Sequence, residues 1–152
     1  MLAIETVGLT RRYGSVTAVD GIDLQIPAGA LYGLIGPNGA GKTTTLRLLA
    51  GLLDPSAGEV RINGRSANHD WRDLQRQMGY MPDFFGVYED MLVWEYLDFF
   101  GRCHGLEAAR RRQVTDELLE LVDLASKRDA YVETLSRGMR QRLCLAHALV
   151  HD

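Results

Sequence analysis

The spacing of apolar residues changes character along the chain. Leu2 to Leu9 alternates loosely, and Ile22-Asp23-Leu24-Gln25-Ile26 alternates cleanly, which predicts two half-buried strands. Pro27-Ala28-Gly29 is a turn signal. Leu31-Tyr32-Gly33-Leu34-Ile35 is a short apolar run, expected as a strand buried on both faces. From Thr43 to Leu53 the leucines at 46, 49 and 53 take helical spacing, with Gly51 a weak point in it. Asp54 to Gly58 breaks the chain, Glu59 to Ile62 predicts another strand, and Asn63-Gly64 its turn. Met78 to Met81 is a candidate short strand. Beyond it helical spacing takes over: Leu92, Tyr96 and Phe100 with Val93 and Leu97; then Val114, Leu118, Leu121 and Val122; then Met139, Leu143, Ala146 and Val150. Strands therefore fill the first third and helices the last part.

Composition narrows the classes. The chain has 152 residues, 46% hydrophobic and 24% charged, enough for one domain with a real core. A net charge of -3 argues against a broad nucleic-acid footprint. No apolar run reaches the roughly 20 residues that a bilayer span needs, and Met1 to Glu5 has no signal-peptide character. Cys103 and Cys144 lie far apart and are expected to be small buried hydrophobes in a reducing compartment. Trp94, Tyr96, Phe99 and Phe100 are expected as helix core, and Arg110-Arg111-Arg112 as a solvated helix face. The histidines at 69, 104, 147 and 151 show no metal spacing.

One segment carries chemistry on its own. Gly36-Pro37-Asn38-Gly39-Ala40-Gly41-Lys42-Thr43, followed by Thr44, matches the phosphate loop G-x-x-x-x-G-K-[ST]. Average residue usage gives that pattern by chance in about one in a few hundred chains of this size. The buried strand expected before it and the helix after it sharpen it further, because the mechanism requires that strand–loop–helix order. Glycines allow successive amides to point into one concavity, and the following helix adds its positive end, so the α- and β-phosphates of ATP are held there. Lys42 sets a full charge beside the β- and γ-phosphates, and Thr43 offers a hydroxyl to Mg²⁺.

With three further segments, this loop resembles the ATP-binding domain of ABC transporters. Arg12-Tyr13-Gly14 is similar to the family's aromatic loop, which implies that Tyr13 stacks on adenine. Gly79-Tyr80-Met81-Pro82-Asp83 stands where the family has its Q-loop, with Asp83 in place of the glutamine; a carboxylate there can still reach Mg²⁺, and a plain turn cap is the alternative. Leu135-Ser136-Arg137-Gly138-Met139-Arg140-Gln141-Arg142 resembles the LSGGQ signature, with Arg137 and Met139 as departures. The resemblance implies that Ser136, Gly138 and Met139 bind the γ-phosphate held by an opposite subunit; taken locally, Ser136 is a helix cap.

The implied fold is α/β: a P-loop NTPase (RecA-like) core with an antiparallel β subdomain and a helical subdomain. The expected parts are 1–82 for the β subdomain and phosphate-loop core, 83–135 for the helical subdomain, and 136–152 for the signature and its helix. The family's next elements, an apolar strand ending in Asp-Glu and a switch histidine, do not follow within the sequence. The expectation is therefore a partial domain, with an exposed sheet edge, marginal folding, weak ATP binding and negligible hydrolysis.

The implied function is an ATPase subunit, with Lys42 and Asp83 catalytic, Thr43 and Asp83 on Mg²⁺, and loop and signature closing head to tail across a dimer. Its partner would be a separate transmembrane permease chain, its place the cytoplasmic face of the membrane, and no direct nucleic-acid contact is expected. The other readings are a soluble ABC-type ATPase acting on nucleic acid or ribosomes, a P-loop small-molecule kinase, and a non-catalytic nucleotide sensor.

Overall fold

The computed structural model describes residues 1–67, 71, 74–82, 86, 88 and 90–151. They form two compact units, Met1–Gln75 and Arg76–Asp152.

The first unit is built on an antiparallel sheet of β1 (Leu2–Tyr13), β2 (Val16–Pro27), β3 (Ala57–Ile62) and β4 (Arg65–Ser66) in the order β2-β1-β3-β4. Both strands running from the first alternating segments are longer than the alternation predicts, because bulges absorb the irregular stretches. At one bulge the buried Thr6 hydroxyl donates to the Ile22 carbonyl (2.8 Å) and accepts from the Leu24 amide (2.9 Å), standing in for ladder bonds that the register shift removes. Asn63 and Gly64 both take positive φ (51° and 77°) in the turn between β3 and β4, as a two-residue hairpin of this hand requires.

Helix α1 (Lys42–Leu49) follows the phosphate loop. It ends earlier than Leu53, the expected limit. Gly51 turns left-handed (φ 66°), its amide donates to Leu48 and the Leu52 amide donates back to Arg47 (3.2 and 2.9 Å), so the last carbonyls are closed off. Leu48 and Leu49 are buried, as are Leu9, Val19, Ile26, Val60, Ile62 and Leu74 of the same unit.

Two expected strands are absent. Leu31–Ile35 lies in no strand, and Leu31 and Ile35 are 104% and 95% exposed. Met78–Met81 also has no strand pairing. An apolar run acquires strand structure only by bonding to a neighbouring backbone, and among the described residues the sheet offers neither segment a partner.

The second unit is helical: α2 (Val93–Cys103), α3 (Ala108–Leu121) and α4 (Arg137–Ala148), with 3₁₀ turns at Ala125–Lys127 and Val132–Thr134. Val93, Tyr96 and Leu97 of α2, Val114, Leu118 and Leu119 of α3, and Leu143 and Ala146 of α4 meet in one core with Val132 and Val150. The α2 N-terminus is satisfied from within the unit. Val93 and Trp94 amides donate to the carbonyls of Ala130 and Arg128, and the Glu95 carboxylate accepts from the Leu92 amide at 3.0 Å.

Four side chains depart from expectation here. Leu121 is 68% and Phe99 39% exposed rather than core, and Cys103 is exposed, while Cys144 is buried as expected. Phe99 lies off the stripe that its helix turns to its neighbours, whereas Leu121 stands at the stripe's margin on the last residue of α3. Arg111, read as solvated, is instead 14% exposed in its side chain and pairs with Asp98 at 2.7 Å. Gly101 makes this possible, since a Cβ there would lie 3.1 Å from the Arg111 stem.

Candidate phosphate site and signature helix

The phosphate loop is shaped by its glycines. Gly39 and Gly41 adopt φ of 82° and 85°, a region closed to most side chains, and Ala40 N–H closes a turn onto the Pro37 carbonyl at 3.2 Å. Gly41 is required twice over, because a Cβ on it would run into the Ala18 carbonyl oxygen of β2. The loop is thereby seated against β2 at Ala18 and Val19. Gly36 is tight as well, with Ala40 Cβ 3.3 Å from where its own Cβ would be.

Helix α1 starts at Lys42 with Gly41 as its cap residue and no side-chain cap. The amides of its first turn have no partners inside the helix. Thr45 is 2% exposed, and both its amide (2.8 Å) and its hydroxyl (3.0 Å) donate to the Gly41 carbonyl, which anchors the turn from below. Lys42 Nζ donates to the carbonyls of Gly36 and Pro37, each at 2.7 Å, so the ammonium bridges the two ends of the loop. Thr43 is exposed and Thr44 half-buried at the same helix start. Left-handed glycine amides, a helix start without a side-chain cap and one ammonium are the groups from which a polyphosphate cradle can be built.

Tyr13 ends β1 and pairs with Val16 of β2, two residues from the Ala18 against which Gly41 sits. Tyr13 is 46% exposed, and the Arg11 guanidinium lies over its ring at 4.6 Å from the centroid. Arg11 stands two residues before Tyr13 on β1, and residues two apart in a strand share a face, which is the signal in the sequence that pairs them.

In the second unit Ser136 is the cap residue of α4. Its hydroxyl accepts from the Met139 amide at 3.3 Å, and its carbonyl accepts from Arg140 at 2.9 Å. Arg140 fixes the approach by donating to the carbonyls of Leu135 (3.1 Å) and Glu133 (2.7 Å). Around Gly138 an added Cβ would meet nothing within 4 Å, so the backbone there is open. Asp83 lies outside the described residues.

The ABC transporter family model matches residues 19–152, from β2 to the last residue. The chain belongs to the ABC transporter family. Among curated ABC proteins, it is 45% identical over 150 residues to the Nod factor export ATP-binding protein I of Paraburkholderia xenovorans (strain LB400), covering 99% of this chain and 49% of that protein. It is 41% identical over 148 residues to the daunorubicin/doxorubicin resistance ATP-binding protein DrrA of Streptomyces peucetius, covering 97% of this chain and 45% of that one. The chain thus spans about half the length of the curated relatives it matches. A solved ATP-binding subunit of an ABC transporter superposes with a TM-score of 0.86 at 27% identity, covering 99% of this chain and 62% of that one. At 22% identity, cbiO1 from Clostridium perfringens shares the fold with a TM-score of 0.84 over 99% of this chain and 62% of its own. The fold is that of ABC ATPase domains, a P-loop NTPase architecture, and the family binds ATP.

Proposed function

We propose that this chain is the ATP-holding part of a subunit that hydrolyses ATP to drive export across a membrane through a separate transmembrane chain. The observation that carries it is the loop from Gly36 to Thr43, curled by left-handed glycines onto the start of α1 with Lys42 drawn across it. The two export and resistance ATP-binding proteins that resemble it favour that direction of transport.

In this reading the amides from Gly39 to Thr44 and the ammonium of Lys42 hold the phosphates, and Tyr13 supports the base. Thr43 gives a hydroxyl to Mg²⁺, with Asp83 as a second oxygen ligand in place of the usual glutamine. Mg²⁺ supplies charge neutralisation on the phosphates. Ser136, Gly138 and Met139 present the start of α4 to the γ-phosphate bound by a second copy, so two nucleotides close a head-to-tail dimer. Ser136 keeps its capping role in this arrangement, because cap and anion both use amides of the same turn.

No helix among the described residues is long and apolar enough to cross a membrane. Purification from native cells separates this reading from a nucleic-acid or ribosome role. The expected result is co-purification with an integral membrane protein from detergent extracts. Recovery with ribosomes or nuclease-sensitive material, and with no membrane protein, would contradict it.

A further inference from the structure

Arg11 is the unusual residue beside the nucleotide site. Its Nη1 donates to the Asp54 carbonyl at 2.7 Å, in the loop that follows α1. The same strand end is fastened twice more to this loop: Ser56 Oγ accepts from the Arg12 amide at 3.0 Å, and the Ser56 amide donates to Thr10 at 2.8 Å. The strand end that carries Tyr13 is thereby tied to the far end of the phosphate-loop helix. Arg11 Nε, meanwhile, is buried with no hydrogen-bond partner among the described residues. A buried donor left open in this way calls for an explanation beyond the fold's own hydrogen bonding. What the guanidinium gains instead is the Tyr13 ring, 4.6 Å from its centre.

We propose that Arg11 is a positioning residue that holds one face of Tyr13 and so presents the other to the purine base of the bound nucleotide. The proposal rests on the reading of Tyr13 as the base-stacking residue. A ring free to turn at a strand end pays rotamer entropy each time a base stacks on it. Clamped by a cation on one face, the ring is already in place. The same guanidinium ties the strand end that carries Tyr13 to the loop after α1 through the Asp54 carbonyl.

The test compares ATP with inorganic tripolyphosphate, which engages the phosphate loop and has no base. In the intact protein Arg11→Gln is expected to weaken ATP binding about three- to tenfold, to leave tripolyphosphate binding unchanged, and to add nothing in a Tyr13→Ala background. Arg11→Lys, which keeps the charge, is expected to recover most of the loss. An equal loss for both ligands would mean a purely structural arginine and overturn the proposal. If Tyr13→Ala weakens ATP while Arg11→Gln does not, the stacking role stands and the proposal falls. If wild type binds ATP no more tightly than tripolyphosphate, the stacking role itself fails, and the proposal with it.

Discussion

His147 shows how a single side chain senses the core of the helical unit. It stacks on Phe100 with ring centres 3.8 Å apart, and its Nδ1 lies 3.2 Å from the Tyr96 hydroxyl. Burial pushes its pKa down to about 4, and the neighbouring His104 and His151 add to the effect. Folded protein therefore resists the proton that the unfolded chain accepts near pH 6.5. The stability from this neutral imidazole is complete above pH 6.5 and is lost as pH falls toward 4, by at most about 1.4 kcal/mol per pH unit. Urea denaturation at pH 7 and pH 5 checks this: wild type should lose more stability than His147→Gln between the two, and equal losses would contradict it. At this scale the sequence was informative wherever a residue's type dictated its conformation. Gly39 and Gly41 had to curl and Ser136 had to cap, and both do so. Arg11 and Arg111 were missed because their partners, Tyr13 with Asp54 and Asp98, are set by strand facing and by helix packing rather than by local sequence.

Among elements, the helices of the second unit were legible because each carries its own apolar stripe, and that stripe alone selects the buried face. The strands of the first unit were legible where alternation was clean, and were extended by bulges that no alternation announces. Leu31–Ile35 was not legible, since strand structure there depends on a neighbour rather than on its own residues. The arginine run on α3 gives a contrast that composition hides. Arg111 binds Asp98 and the Leu106 carbonyl (2.8 Å) in a half-buried setting. Burial works to raise the Asp98 pKa, yet hydrogen bonds from Arg111 and then Arg102 hold that carboxyl below its usual range. Arg110, by contrast, meets Glu117 only at 3.7 Å on the surface. Arg111→Ala should therefore cost about 1.5–3 kcal/mol, and Arg110→Ala less than about 1 kcal/mol, in denaturant titrations. A reversed order would show that the α2–α3 junction does not depend on this pair. Leu97, fully buried between the helices, sets the scale for comparison: Leu97→Ala should cost about 2–5 kcal/mol.

For the molecule as a whole, family membership rests on the match over residues 19–152. The acidic balance of -3 and the missing lysines leave Lys42 as one of only two ammonium side chains, the other being Lys127. A site built on main-chain amides and a single ammonium makes a sharp demand. The decisive measurement is calorimetric titration of ATP with Mg²⁺ into the intact protein and its Lys42→Ala variant. Losing a charge-assisted contact to the phosphates is expected to weaken binding about 10- to 100-fold. Unchanged affinity in a folded Lys42→Ala protein would contradict the claim that this loop grips the nucleotide.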